Sequence, residues 1–389
     1  MATKLNRGKK NMFRRRRAKR IKTFVTVLVC LALVGAGVLL AKEFSGTPET
    51  RPEQGGASSS SSTTVPTTTT TTLPPPQAET PVPEEALRGA YIPVSLLSDT
   101  EALETKLAEL ALAGHNSVVF DLKDADGVVW YAAESVFVKK TGAVSANAVT
   151  KEALKAAAAL CRTKGFEPVP RVFAFRDKTA PVELSDARIK LEGNGGVLWL
   201  DRKKAEGGKP WLNPCSETAW DYVLGFCAEL KELGFSHQIL EGVQFPEKDS
   251  RSDYGNSEWA QKEKNEVLSA FVEKAKTTVG DGLIVSMSGL AALGSNTAGY
   301  HGNPLTFGMQ TAAPRLLAAE LGESVSFNGE TASPNTNTAE AVTVALNQLS
   351  SYSRIMNLSV ELIPWVDTDE IAKAVIAQGI DSYVVYAAE

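Results

Sequence analysis

Residues 235–246 read FSHQILEGVQFP, an apolar run that meets a carboxylate, Glu241, and stops at a proline. Side chains alternate along a strand with period two, so Ile239, Glu241, Val243 and Phe245 are predicted to share one face. The acid is then aimed wherever that face points. In a parallel barrel the face points into the mouth at the carboxyl ends of the strands, the end at which such barrels carry chemistry.

Working outward from this stretch, apolar runs of strand length alternate with helical segments, the pattern of a parallel sheet covered by helices. Eight strands are predicted, at 88–94, 117–122, 167–173, 238–245, 283–287, 324–328, 358–363 and 382–386. Helices are predicted between them at 100–113, 151–164, 217–233, 258–279, 339–350 and 368–378. Gly114, Gly165, Gly234 and Gly379 each follow a helix and precede the next strand, where a left-handed residue ends a helix most cheaply. Eight such units in about 300 residues predict an α/β chain folded as a (β/α)8 TIM barrel over 87–389. An open doubly wound sheet is the alternative, but no G-x-G-x-x-G follows its first strand, which ends in Pro93, Val94 and Ser95.

The start of the chain reads differently. Residues 1–22 hold eleven Lys and Arg and no acid, and 23–41 follow as nineteen uncharged, mostly apolar residues. At ~1.5 Å per residue that run reaches roughly 28 Å, near the thickness of a bilayer's hydrocarbon core. The order predicts a cytoplasmic basic tail and an uncleaved transmembrane signal anchor at 23–41, a single pass with the rest of the chain outside the cell membrane. Residues 42–86, including SSSSSTTVPTTTTTTLPPP, offer almost no surface to bury and predict a disordered Ser/Thr/Pro linker. Beyond residue 22 the chain carries 30 Lys and Arg against 45 Asp and Glu. Bulk charge therefore argues against a nucleic-acid partner and favours a neutral ligand.

Several predicted strand ends carry polar groups. The second gives Asp121, Lys123 and Asp124, the third Arg171, Arg176 and Asp177, the fourth Glu241, and the sixth Asn328 and Glu330. Arg171 and Glu241 fall on neighbouring strands facing inward, and a guanidinium beside a carboxylate favours the ionised form. That suits a nucleophile or an electrostatic stabiliser; the alternative is an ion pair that only lines the barrel. Glycoside hydrolysis needs a second carboxyl group, ~5–5.5 Å away for retention and ~6.5–9.5 Å for inversion. Asp121, Asp124 and Glu330 are candidates. Trp199, Trp211 and Trp365 lie in loops or at a strand end, where flat rings can stack on sugar faces. Three histidines and four cysteines show no metal-ligand spacing, and no G-x-S-x-G elbow is present, so neither a metal, a cofactor nor a serine nucleophile is expected.

In order, the motifs RGAYIP, VVFDLKDADG, PRVFAFRD, the segment WLNPCSETAWDYVLGFCAELKELGF running into ILEGVQFP, and IPWVDTDEIAKAVIAQGIDSYVVY resemble the bacterial family called the Putative glycosyl hydrolase domain, over about 87–389. The resemblance implies a TIM barrel of glycoside-hydrolase type acting on a polysaccharide or oligosaccharide. It implies that Glu241 stands where the family carries its aspartate, in the strand it usually writes F-D-Y-V-R-F-P. Asp121, Lys123, Arg171, Trp211, Asn213, Pro214 and Trp365 match the family pattern, which implies that Lys123, Arg171, Trp211, Asn213 and Trp365 bind substrate. The chain departs from it at Gln244, at Ser288 where the family has an acid, and at Ser326 to Glu330. The implied function is a membrane-anchored hydrolase of envelope or environmental polysaccharide. The alternatives are a glycan-binding barrel that does not cleave, or a structural envelope protein.

Overall fold

The computed structural model describes residues 86–386. The predicted basic tail, membrane anchor and most of the linker lie outside the described residues. Among those described, no helix is long and apolar enough to cross a membrane.

Eight parallel strands close into a barrel. They are β1 (Arg88–Tyr91), β2 (Ser117–Lys123), β3 (Glu167–Phe173), β4 (Gln238–Glu241), β5 (Leu283–Ser288), β6 (Thr311–Arg315), β7 in two pieces (Glu361–Leu362 and Trp365–Val366) and β8 (Tyr383–Val385). Each pairs with the next, and β8 returns to β1. Pro364 separates the two pieces of β7, since a proline donates no ladder hydrogen bond. The strands alternate faces as their sequences predict. Val119, Val169, Ile239, Ile284, Ala313, Ile363 and Val384 point inward as an apolar plug. Their neighbours Val118, Phe120, Val172, Leu240, Val285, Ala312, Leu362 and Val385 point outward into the layer packed by helices.

The helices begin and end where their caps dictate. In α1 (Thr100–Ala113) Asp99 accepts from the Ala102 N–H and Gly114 closes the helix at φ +91°. In α2 (Lys151–Thr163) Thr150 caps Ala153, and in α3 (Glu217–Glu232) Ser216 caps Ala219. Then follow α4 (Lys264–Val279), α5 (Thr338–Ile355) and α6 (Asp369–Ala377), the last capped by Thr368.

The sixth strand is a correction. The sequence reading places it at 324–328, but Val325–Phe327 pairs antiparallel with Glu330–Ala332 in a separate hairpin next to α5. The barrel is closed instead by TAAPR at Thr311–Arg315, paired with β5 on one side and β7 on the other. Alanine and proline have little strand propensity, whereas SVSFN has more. Closure decides otherwise, because small side chains suit crowded packing on both faces, with Ala313 fully buried inside the barrel and Ala312 fully buried under the helices. Two long loops shape the mouth. Lys190–Leu191 and Asn194–Leu198, from the loop after β3, join Ser252–Asp253, from the loop after β4, in a three-stranded antiparallel sheet.

Candidate functional site

β4 delivers Ile239 to the plug and, two residues later, Glu241 to the layer above it, in line with the predicted alternation. The strand ends there. Gly242 takes φ +69°, and a Cβ on it would touch the Phe173 ring at 3.5 Å and the Arg176 Cβ at 3.6 Å. The turn sends Val243 and Phe245 into the outer core, away from the face they were expected to share with Glu241.

Glu241 sits in a chain of ion pairs across the barrel. Arg171 donates Nη1 to Glu241 Oε2 at 3.0 Å, and donates Nε and Nη2 to the two oxygens of Asp121 at 2.5 and 2.8 Å. Arg315, from β6, donates to the other oxygen of Glu241 and grips Glu320 with Nε and Nη2 at 3.0 and 2.6 Å. The Tyr91 hydroxyl reaches Asp121 at 3.2 Å and the Ser286 hydroxyl reaches Glu241 at 3.4 Å. Both oxygens of Glu241 are thus bound by guanidinium groups. Arg171 is boxed by rings: Trp365, Phe173, Tyr91 and Tyr386 stand 4.9, 5.0, 5.5 and 5.5 Å from its guanidinium carbon. Burial works against the Arg171 charge, but the adjacent Glu241 and Asp121 outweigh it and hold its pKa above the usual arginine range. The same balance, through Glu241 and Glu320, raises Arg315. Burial, reinforced by the Asp121 charge, pushes the Tyr91 phenol up.

Above this layer opens a cleft of about 360 Å³, with Glu241, Arg315 and Ser288 on its floor and Trp211, Gln244 and Tyr300 among its walls. The volume lies in the range of ~300–1,000 Å³ usual for ligand sites. Three acids line it: Asp201, Glu241 and Glu247. Asp201 accepts from the Lys209 N–H at 2.8 Å and from Trp211 Nε1 at 3.4 Å, while Glu247 is exposed.

The residues named from the sequence separate into groups. Arg171, Asp121 and Glu241 come together, and Trp211 lines the cleft, although it is 8% exposed and packed on Ile189 and Trp199. Asp121 does not line the cleft; it faces Arg171 on the same layer. Lys123 lies away from the cleft. It is fully buried, paired with Asp177 at 2.9 Å and donating to the Phe173 carbonyl at 2.8 Å, so it fastens the end of β3. Trp365 is 0% exposed and belongs to the plug and the Arg171 box. Asn213 lies outside this cleft and lines a second one, where its side chain ties a turn, accepting from the Cys215 N–H at 2.9 Å and donating to the Tyr254 carbonyl at 3.0 Å. Glu330 is exposed on the hairpin outside the barrel sheet and does not line the cleft. Arg315 escaped the sequence reading. Its signal was a lone cation ending an Ala-Ala-Pro run, legible only once that run is known to be a strand. Among the described residues, no group of three or more His, Cys, Asp or Glu is placed to hold a metal ion.

No curated protein matches the chain. Among solved structures, a hypothetical protein from Ruminiclostridium thermocellum is 21% identical, with 50% of this chain and 95% of that one covered and a TM-score of 0.43. A family 20 β-N-acetylhexosaminidase from Streptomyces coelicolor is 14% identical, with 73% of this chain covered and a TM-score of 0.41, and the match spans 49% of the enzyme's length. The family model described as Putative glycosyl hydrolase domain matches residues 89–302, which include β1 to β5 and the Arg171–Glu241 pair. More than half of the 389 residues fall within that match, and the chain belongs to the Putative glycosyl hydrolase domain family.

Proposed function

We propose that the barrel is a glycoside hydrolase that takes an oligosaccharide into the cleft above Glu241. The observation that carries this reading is the position of Glu241, a nearly buried carboxylate on the floor of an open cleft with its charge fixed by Arg171 and Arg315. A carboxylate so fixed stabilises the positive charge that develops on a sugar ring as its glycosidic bond breaks. In this scheme Glu247 gives its proton to the leaving oxygen as the C–O bond opens. Water then adds to the ring carbon and returns a proton to Glu247. Trp211, Gln244 and Tyr300 offer the walls against which the sugar is oriented. Residues 23–41 would anchor the chain in the cell membrane and hold the barrel outside it, near envelope polysaccharide.

A second reading is favoured by the same pairs: both oxygens of Glu241 are engaged, so the cleft could hold glycan without cleaving it. One experiment separates the two. The purified full-length chain and Glu241→Gln are assayed for release of reducing ends from a panel of envelope and plant polysaccharides. Release that disappears in the variant supports hydrolysis. No release by either protein, with glycan retained on a pull-down, supports binding alone; neither release nor retention refutes both readings. Protease added to intact cells should remove the barrel and spare residues 1–22, and protection of the barrel would place it on the other side of the membrane.

A further inference from the structure

The charge of the cleft runs opposite to that of the chain around it. Arg176, Arg202 and Lys248 line it from two loops, the first two from the loop after β3 and the third from the loop after β4. All three are exposed. The Arg176 Cβ lies 3.6 Å from where a Cβ on Gly242, one residue from Glu241, would stand. Among the described residues Arg176 and Lys248 make no ion pair or side-chain hydrogen bond, and Arg202 has only Asp201, at 3.7 Å. The acids of the cleft are mostly committed elsewhere: Glu241 to two arginines, and Asp201 to Lys209 and Trp211. Glu247 alone stands uncommitted, and the three acids face four cations that line the cleft: Arg176, Arg202, Lys248 and Arg315. The cleft therefore keeps an excess of cations in a chain that has 30 Lys and Arg against 45 Asp and Glu beyond residue 22.

We infer that the cleft selects an anionic glycan, one bearing carboxylate or phosphate groups on the sugar units beside the unit over Glu241. The inference rests on the glycan reading of this same site and corrects the neutral ligand that bulk charge suggests. Guanidinium groups fit both kinds of oxyanion with paired hydrogen bonds, and cations gathered in a cleft concentrate their field there whatever the net charge outside.

The test is titration calorimetry of the full-length chain in detergent, at two salt concentrations, with three probes. Oligogalacturonate supplies carboxylates, its methyl ester supplies the same sugars without charge, and poly(glycerol phosphate) supplies phosphates. The basic tail attracts any polyanion, but equally in every variant, so the comparison isolates the cleft. In Arg176→Gln/Lys248→Gln the affinity for the preferred charged probe should fall about tenfold from the parent's while that for the uncharged one stays unchanged, whereas Arg176→Lys/Lys248→Arg should keep both. A preference for oligogalacturonate assigns the carboxylate and a preference for the phosphate polymer assigns phosphate. Equal binding of charged and esterified sugars, or a Gln variant that binds like the parent, overturns the inference and leaves the proposed function standing. Failure to bind these probes or any neutral oligosaccharide overturns both.

Discussion

Arg171 organises the mouth, and replacing it with methionine tests how much of the fold depends on it. The change removes the three hydrogen bonds to Asp121 and Glu241 while keeping an apolar side chain inside the ring of aromatics. Glu241 retains Arg315, but Asp121, whose side chain is 16% exposed, keeps only the Tyr91 hydroxyl among the described residues. Removing one partner of a buried ion pair costs about 3–5 kcal/mol, chiefly because the other charge is left unpaired. For a domain of this size that is a fall in Tm of roughly 6–10 °C, at about 2 °C per kcal/mol. The assay is urea unfolding followed by far-UV circular dichroism, with Arg171→Met/Asp121→Asn alongside. The double variant should recover at least about 1 kcal/mol, since a neutral amide is cheaper to bury than an unpaired carboxylate. A loss below about 1 kcal/mol for Arg171→Met, or simple additivity in the double variant, would refute the view that this guanidinium holds two charges inside the barrel.

Other outcomes follow from the same geometry. Trp365→Ala should cost about 3–5 kcal/mol in urea unfolding, the usual range for truncating a buried aromatic, with Trp365→Phe milder; a loss of glycan binding without a loss of stability would return this ring to the sugar platform. Glu330→Gln should leave stability within about 0.5 kcal/mol and reducing-end release unchanged, and any drop in release would bring the hairpin back to the site. Stability should also fall in acid partly through Asp249. Burial pushes its carboxyl up, but the hydrogen bond and charge of Lys264 outweigh burial and hold it below the usual range. A depressed folded-state value means the unfolded chain takes up the proton first, so this contribution is complete above the ordinary aspartate value of ~3.9 and is lost as pH falls through the folded value. The stability difference between the parent and Asp249→Asn, measured at pH 6, 4 and 3, should shrink as pH falls, and a constant difference would refute it.

Much of the scaffold was legible in the sequence because it is written locally. Period-two alternation in β2, β3 and β5 and glycines after helices are properties of a few consecutive residues. Gly114, Gly165, Gly234 and Gly379 all take positive φ, as that punctuation requires. The pairing of Arg171 with Glu241 was legible too, since both were expected to face inward from neighbouring strands, and they do meet, although Arg171 is in register with Ile239. Where two segments competed for one place, local signals misled: 324–328 looks more like a strand than Thr311–Arg315.

The sequence alone determined the alternating β/α pattern, the inward aim of Glu241 and the Arg171 beside it. Only the tertiary structure decided which segment closes the barrel, and so that Arg315 is the second clamp on Glu241. It also decided burial, which encloses Lys123, Asn213 and Trp365, and it placed Glu330 on an outer hairpin. The physical reason is that strand propensity and alternation act over neighbouring residues, whereas closure and burial depend on segments far apart in the chain that meet only when the sheet comes round on itself.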